Sequence, residues 1–444
     1  MPRHLKKFLS ALIILMASFS YLFVFKTIQQ APPEIEMPNY GINSNNIGLL
    51  VKQNDPLSIQ TAKLYQKARN IPTENIFYLN LPDKENISPE SFKQAYQKLT
   101  AQVGDHIQAF AATWQKPYRV DCMSITSALA LGFDTKWCQP KKKGCFQTPN
   151  SHYFNSLIDK PWTQLKIRPA MLLTGKNISE VKSLIERGLQ SDASRPEAAA
   201  YLVHTTDKQR SSRWPIFKGF SEIFPPNRLL QIHYVDASNG KQPNAITDKE
   251  NIMIYQTGLT KVADINSNEY LPGAIADHLT SFGGQGLSKQ GQMKAFRWIE
   301  AGVTGSYGTV VEPCNFIQKF PNPSVLIPKY LSGQTLIEAY WKSVQQPSEG
   351  LFIGDPLAKP YKLLNVSKLG GNIKITTNQV RKNQAYQLQQ WNDSEKQFEV
   401  VKAQLNSSKI IGAVTIQAKQ SYSNRYKVVE FNKQKQANLK DHRD

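Results

Sequence analysis

Cysteine is scarce in this chain, and its spacing is not that of a metal-binding motif. The four cysteines are Cys122, Cys138, Cys145 and Cys314, and no two form a Cys-x-x-Cys pair, which argues against a zinc site. None lies near the amino terminus, which argues against lipid attachment there. The chain also lacks internal repeats and any helix-turn-helix, zinc-finger or RNA-recognition signature. We therefore expect no metal, no cofactor and no specific nucleic acid.

Acidic residues are also few relative to basic ones. The chain has 34 Asp and Glu against 54 Lys and Arg, giving a net charge of +20 over 444 residues. The excess is spread along the chain, with local clusters such as 141–143. This balance is typical of a soluble surface among anionic polymers, and also of a face that binds a polyanion such as a cell-wall polymer. The length suggests two domains.

Long apolar runs are absent, with one exception. The run from Phe8 to Phe25 follows Arg3, Lys6 and Lys7. As a helix it would span about 27 Å, close to the thickness of the hydrocarbon core of a bilayer. The basic flank should stay in the cytoplasm. Residues 1–26 are thus predicted to be a membrane anchor or a signal sequence. The protein would belong to the cell envelope, anchored in the inner membrane with its globular part outside the cytoplasm, or it would be secreted.

An exported domain would fold in an oxidising compartment, where disulfides persist. Four cysteines allow three full pairings. We favour Cys138–Cys145, because a turn-like segment separates the two residues, with Cys122–Cys314 as the accompanying pair.

The pattern of predicted elements indicates an α/β domain over residues 46–361, after a linker at 27–45. Strands such as 46–51 and 76–79 alternate with helical patterns such as 58–70, which is typical of a mostly parallel sheet with flanking helices. After residue 361 the helical periodicity disappears. Short alternating segments over 362–432 predict a small β-sandwich, and 433–444 reads as a polar tail.

The segment AGVTGSYGTVVEPCN, residues 301–315, carries the first group of candidate site residues. Small residues, a serine, an acid and a cysteine occur together at the predicted tip of a strand, where sites of α/β proteins collect. Ser306 nearly matches a nucleophile elbow. However, no helical pattern follows it, and the only later histidine is His442, so the order Ser, acid, His cannot be built. Cys314 is either a thiolate nucleophile or half of a disulfide.

The segment DHLTSFGG, residues 277–284, carries the second group. His278 could act as a general base near neutral pH. Asp277 could orient it, or could instead satisfy the amides at the start of a helix.

These segments resemble those of an uncharacterised family of exported bacterial proteins. The resemblance rests on 277–284, on 301–314, on EAYW at 338–341 and on GLFIGDPL at 350–357, and it covers about residues 45 to 361. More distantly, the layout resembles gingipain-like cysteine peptidases, whose fold is that of caspases. Those enzymes have one strand that ends in His-Gly and another that ends in the nucleophilic Cys. Here the first of the corresponding strands runs into Gln256 and has no histidine. The second carries Ser306 in place of the cysteine.

Two functional hypotheses follow. The first is a hydrolase that acts on peptide bonds, with His278 as base, Cys314 or Ser306 as nucleophile, and Asp277 or Glu312 as the orienting group. The second is a non-catalytic envelope protein that binds a protein partner or an anionic envelope polymer through the same cleft. Both require that the segments around 256, 278 and 306–314 meet at one edge of the sheet.

Overall fold

The structure, a computed structural model, describes residues 33–38, 40–138, 145–287, 291–369, 372–381, 384–406, 414–419 and 424–431. The predicted membrane segment at 1–26 and the predicted polar tail at 433–444 lie outside these residues. Among the residues described, none of the helices has both the length and the apolar character needed to cross a bilayer.

The chain divides into two units. The α/β unit comprises residues 39–363, and the second unit comprises residues 364–444 together with residues up to 38. The segment predicted as a linker, 27–45, contains a short strand, β1 (Glu34–Glu36), which pairs in parallel with a strand near the end of the chain. The amino-terminal segment thus contributes a strand to the second unit.

The strands of the α/β unit belong to one large sheet and one small sheet. In chain order they are β2 Ile47–Lys52, β3 Ile76–Leu79, β4 Asn86–Ile87, β5 Ala109–Ala112, β6 Arg119–Val120, β7 Met123–Ser124, β8 Ala170–Leu172, β9 Ala198–His204, β10 Leu230–Asp236, β11 Ile252–Gly258, β12 Tyr270–Leu279, β13 Gly305–Thr309 and β14 Gly350–Gly354. Strands β4, β6 and β7 form the small sheet. The other ten form the large sheet in the order β10-β9-β11-β12-β13-β14-β8-β5-β2-β3. The predicted α/β fold, with helices beside a large sheet, is confirmed.

The large sheet consists of two parallel halves that run in opposite directions. Neighbouring strands are parallel everywhere except at β13 and β14, which are antiparallel. Strands β9 to β13 therefore end at one edge of the sheet, and β2, β3, β5, β8 and β14 end at the opposite edge. We call these the β9–β13 edge and the β2–β8 edge.

Helices connect and cover the strands of this unit. They are α1 Pro56–Arg69, α2 Pro89–Thr100, α3 Ile125–Leu131, α4 Pro161–Leu165, α5 Ile178–Ser191, α6 Trp214–Ile223, α7 Phe296–Glu300, α8 Pro323–Leu331 and α9 Leu336–Ser343. Several of these helices begin directly after a residue whose side chain caps the helix, with proline as the first helical residue. Asp55 accepts a hydrogen bond from Ser58 N ahead of α1, and Ser88 accepts one from Ser91 N ahead of α2. Such caps satisfy backbone amides that a helix start leaves open.

The central strands are buried on both faces, as expected for a parallel sheet covered by helices. Every residue of β2, β5, β8, β11, β13 and β14 is buried. The polar residues that these strands carry are therefore inside the protein, and each needs an internal partner.

The described residues of the second unit form two sheets. Its remaining strands are β15 Leu364–Leu369, β16 Asn372–Thr377, β17 Ala385–Asn392, β18 Gln397–Asn406, β19 Val414–Lys419 and β20 Arg425–Glu430. One sheet has the order β1-β20-β17-β18, and the other has the order β15-β16-β19. Both contribute buried side chains, including Ile373, Ile375, Leu388 and Val428.

Candidate functional site

The three segments that both hypotheses require to meet do lie at one edge. Strands β11, β12 and β13 are neighbours, and all three end at the β9–β13 edge. Gln256 is in register with Asp277, and Asp277 is in register with Tyr307. Beyond the strand ends, Gly284 N donates a hydrogen bond of 2.8 Å to Thr309 O. The residues around 256, 278 and 306–309 therefore form one continuous region.

Asp277 and His278 lie on opposite faces of the sheet. Strand β12 is not predicted from the sequence, which instead suggests Asp277 as a helix cap or as the group that orients His278. Both residues belong to β12, and consecutive side chains of a strand point to opposite faces. The expectation that Asp277 orients His278 is therefore wrong in this geometry.

Asp277 belongs to a buried ion pair. Arg213 Nη1 lies 2.7 Å from Asp277 Oδ1, and Gln256 Nε2 donates a hydrogen bond of 2.7 Å to Oδ2. Burial raises the pKa of Asp277, and the Arg213 guanidinium acts against that rise. Because Arg213 also donates to the carbonyls of Thr257 (2.7 Å) and Pro321 (3.1 Å), Asp277 holds in place a side chain that joins three segments.

Both ring nitrogens of His278 are occupied. Trp298 Nε1 donates a hydrogen bond of 3.0 Å to Nδ1, so Nδ1 is an acceptor. The other nitrogen, Nε2, then carries the proton and donates to Met293 O at 3.1 Å. The side chain is fully buried, and burial lowers its pKa from the ordinary 6.5 to about 4. His278 is thus a neutral histidine that links β12 to the segment before β13, and it offers a substrate no free nitrogen.

Ser306 lies inside a strand and not on a turn. It is the second residue of β13, is fully buried, and is in register with Ala276 and Ile353 on the two neighbouring strands. Its hydroxyl oxygen meets no hydrogen-bond partner within the described part of the chain. A nucleophile elbow places its serine on an exposed turn between a strand and a helix. The structure places Ser306 in the core of the sheet instead.

Cys314 lies in the loop after β13, and its sulfur forms a disulfide with Cys145. The second disulfide joins Cys122 to Cys138. The predicted pairs, Cys138–Cys145 and Cys122–Cys314, are therefore wrong. Spacing suggests that the two cysteines flanking a short turn pair with each other, but in the fold each faces a cysteine on a different segment.

Two consequences follow from these disulfides. Cys314 has no free thiol, because its sulfur is bonded to that of Cys145. Only a free thiolate could act as a nucleophile. The pairs also indicate an oxidising compartment, such as the periplasm or the cell exterior. Nearby, Glu312 accepts a hydrogen bond of 2.9 Å from Cys314 N, so its carboxylate supports the loop.

The crevice in which this topology would bind a ligand is filled by the protein itself. The strand order in this half of the sheet is β10-β9-β11-β12-β13. From β9 the chain moves outward to β10 and then returns to β11 on the other side of β9, so the direction of the connections reverses between β9 and β11. In sheets of this kind, ligands bind in the crevice outside the strand ends at that point. Here the turn 207–213 occupies the gap. Thr205 Oγ1 donates to Gly258 O at 2.7 Å, and Thr205 N donates to Ser211 Oγ at 2.9 Å. A Cβ on Gly258 would collide with the carbonyl oxygen of Arg210.

A second polar cluster at this edge is not predicted from the sequence. His204 ends β9, and its Nδ1 lies 3.1 Å from Tyr234 OH and 3.3 Å from Asp236 Oδ1 at the end of β10. Trp214 stacks on the imidazole, with ring centroids 4.8 Å apart. Burial lowers the pKa of His204. The available signal is positional, because His204 follows directly on the apolar run at 198–203 and ends β9, and polar residues at strand ends of α/β proteins collect at sites.

Comparisons with known proteins add little to this description. No protein-family model matches the sequence, and no curated protein matches it at a significant level. One solved structure, described as "Structure of Protease", shares 10% sequence identity and a TM-score of 0.38 over 88% of this chain and 98% of its own. Similarity at this level assigns the chain neither a fold family nor an activity.

Proposed function

We propose that this chain is a non-catalytic envelope protein that binds a protein partner at the β9–β13 edge. The observation that carries this proposal is the filled crevice between β9 and β11, where the turn 207–213 stands in the place of a ligand. The state of the candidate catalytic groups supports it: Cys314 is in a disulfide, Ser306 is inside the sheet, and both nitrogens of His278 are bonded.

The surface around the filled crevice has the character of a protein interface. Its arginines do not present free charge, since Arg213 is buried against Asp277 and Arg210 pairs with Asp207 at 3.1 Å. Lys208 is the exposed basic residue of the turn 207–213. Trp214 is 39% exposed there, and tryptophan is enriched among the residues that dominate protein interfaces. The exposed acids Glu312 and Asp236 would repel an anionic polymer.

We further propose that Phe8 to Phe25 anchors the chain in the inner membrane, that the second unit is a small β-sandwich, and that the α/β unit is related in layout to gingipain-like peptidases. The apolar run with its basic flank supports the first point. The two disulfides support a location outside the cytoplasm.

Site-specific photo-crosslinking in intact cells tests the binding function. A photoreactive residue at Gln209, on the exposed part of the turn 207–213, should give a discrete protein adduct, and Trp214→Ala should reduce it. The matched control position is Lys63, which is exposed on α1. The same adduct from both positions, or none at Gln209, contradicts the proposal, as does crosslinking to polysaccharide alone.

Activity-based labelling tests the absence of catalysis. Under non-reducing conditions we expect neither a fluorophosphonate nor iodoacetamide to label Ser306 or Cys314. Labelling of either residue that is lost in His278→Ala would establish the hydrolase hypothesis instead.

A further inference from the structure

The β2–β8 edge carries a polar cleft at the opposite end of the sheet from the filled crevice. Strands β2 and β3 end there, and the cleft lies between their carboxyl ends and helix α2, with a volume of about 480 Å³. This volume falls within the range of small-ligand sites in proteins. Because the halves of the sheet run in opposite directions, this molecule has two edges at which parallel strands end. In this half the connections reverse direction between β5 and β2, and the cleft lies next to that point, on the outer side of β2.

The cleft is lined by side-chain amides and one aromatic ring. Its polar lining consists of Gln53, Tyr78, Asn80, Ser91, Gln94, Lys98 and Gln102. Ser91 is half-buried, and the other six are solvent-exposed. Gln94 and Lys98 are four residues apart on α2 and so lie on one face of that helix. Three apolar residues, Leu79, Pro82 and Ala95, complete the lining.

This lining fits a ligand that is rich in both hydrogen-bond donors and acceptors and carries little charge. Each primary amide offers one acceptor oxygen and two N–H donors, and Lys98 is the single charged group among the lining residues. The Tyr78 side chain is 55% exposed, and it presents an apolar ring with a polar tip. A saccharide meets these requirements, because its hydroxyls both donate and accept and its ring has an apolar C–H face.

We propose that the cleft at the β2–β8 edge binds an uncharged, N-acetylated saccharide. The acetamido group would make two kinds of contact with the lining. Its amide would form hydrogen bonds with Gln and Asn side chains, and its methyl group would pack against Pro82 and Ala95. A peptide also has amides. However, β3 is the outermost strand of the sheet and only Tyr78, Leu79 and Asn80 at its end line the cleft, a stretch too short for an incoming strand to pair along it.

Titration of the full-length protein with tri-N-acetylchitotriose, followed by calorimetry, tests the proposal. The wild type should bind saturably. Tyr78→Ala should weaken the affinity about tenfold through loss of the ring face, and Gln94→Ala about fivefold through loss of hydrogen bonds. The matched control is Gln97→Ala, because Gln97 is exposed on the same helix but does not line the cleft. It should bind as the wild type does.

Several results would overturn the proposal. These are no saturable binding of the saccharide, equal weakening by Gln94→Ala and Gln97→Ala, or binding confined to an acidic oligosaccharide or to an N-acetylated tripeptide amide. Thermal unfolding of each variant separates lost binding from lost folding, and Gln94→Ala changes only an exposed side chain. The cleft lies at the β2–β8 edge, and the proposed partner-binding surface around Trp214 and the turn 207–213 lies at the β9–β13 edge. Either site can therefore fail its test while the other passes.

Discussion

At the scale of single residues, the histidine that the sequence points to as a base serves as a structural link. His278 accepts from Trp298, donates to Met293 and is fully buried. Desolvation favours the neutral imidazole, and this lowers its pKa to about 4. A histidine in this state binds fewer protons in the folded protein than in the unfolded chain at mildly acidic pH.

This difference predicts a pH dependence of stability. Above the ordinary pKa of 6.5 both states are neutral at His278 and its contribution is fully present. Between pH 6.5 and about 4 the unfolded chain binds the additional proton, so stability falls as pH falls, by up to about 1.4 kcal/mol per pH unit from this group. Urea unfolding at several pH values measures the slope.

His278→Gln should flatten that slope between pH 6.5 and 4 relative to the wild type, apart from any uniform loss of stability. The control is His152→Gln, at an exposed histidine, which makes the same substitution away from the buried site. A slope that is the same in His278→Gln as in the wild type would contradict the buried neutral state.

At the scale of elements, close backbone approach at strand ends shapes the β9–β13 edge. Gly258 ends β11 directly against the backbone of Arg210, and a side chain there would occupy the space of that carbonyl. The turn 207–213 can lie in the crevice only because this position lacks a Cβ.

Gly258→Ala should therefore destabilise the α/β unit, by about 1–3 kcal/mol, because the turn has to shift or strain. Gly219→Ala is the matched control. Gly219 lies inside α6, and the space that a methyl group would take there is open, so alanine should stabilise by about 0.5–1 kcal/mol through its better helix propensity. Thermal unfolding of the two variants measures the difference. Similar effects of both substitutions would show that the turn does not pack on β11.

The sequence predicts those elements that carry a strong local signal. The helical pattern at 58–70 corresponds to α1, and the apolar runs at 46–51 and 76–79 correspond to β2 and β3, so local pattern suffices for these elements. Strand β12 is missed because it contains Pro272, Gly273 and Asp277, which weaken any strand pattern. Only its neighbours β11 and β13 make it a strand, and a single sequence does not reveal those neighbours.

The candidate site is less predictable than the fold for the same reason. The sequence correctly brings the segments near 256 and 306 to one edge, since both lie at the ends of predicted parallel strands. The segment near 278 reaches the same edge through β12, which the sequence does not predict. It does not reveal that Asp277 and His278 face opposite sides, which depends on β12, or that Arg213 reaches Asp277 across a long sequence separation. The pairing of the cysteines likewise depends on which loops the fold brings together.

At the scale of the whole molecule, the two disulfides close loops of very different length. Cys122–Cys138 spans 16 residues and Cys145–Cys314 spans 169. The two loops do not overlap in sequence. A longer loop loses more conformational entropy in the unfolded chain when it is closed, so its disulfide should stabilise more.

Replacing both Cys145 and Cys314 by alanine should therefore cost about 1–2 kcal/mol more than replacing Cys122 and Cys138, by the chain-entropy relation. Urea unfolding of the two double variants compares them directly. Peptide mapping of the wild type under non-reducing conditions provides the control and should yield the same two pairs. A greater loss from the short loop, or a mapped Cys138–Cys145 peptide, would contradict this expectation.

The antiparallel junction of β13 and β14 affects the order in which the chain can fold. Strand β8 ends at Leu172, but β14, its neighbour in the sheet, does not begin until Gly350. A polypeptide synthesised from its amino end therefore holds the first half of the sheet with an open flank on β8 until nearly the whole α/β unit has been made. Contacts this distant in sequence form slowly, and open strand flanks invite wrong associations. Until β14 is in place the open flank of β8 can pair with another strand, so the yield of folded protein should depend on how quickly the rest of the unit follows.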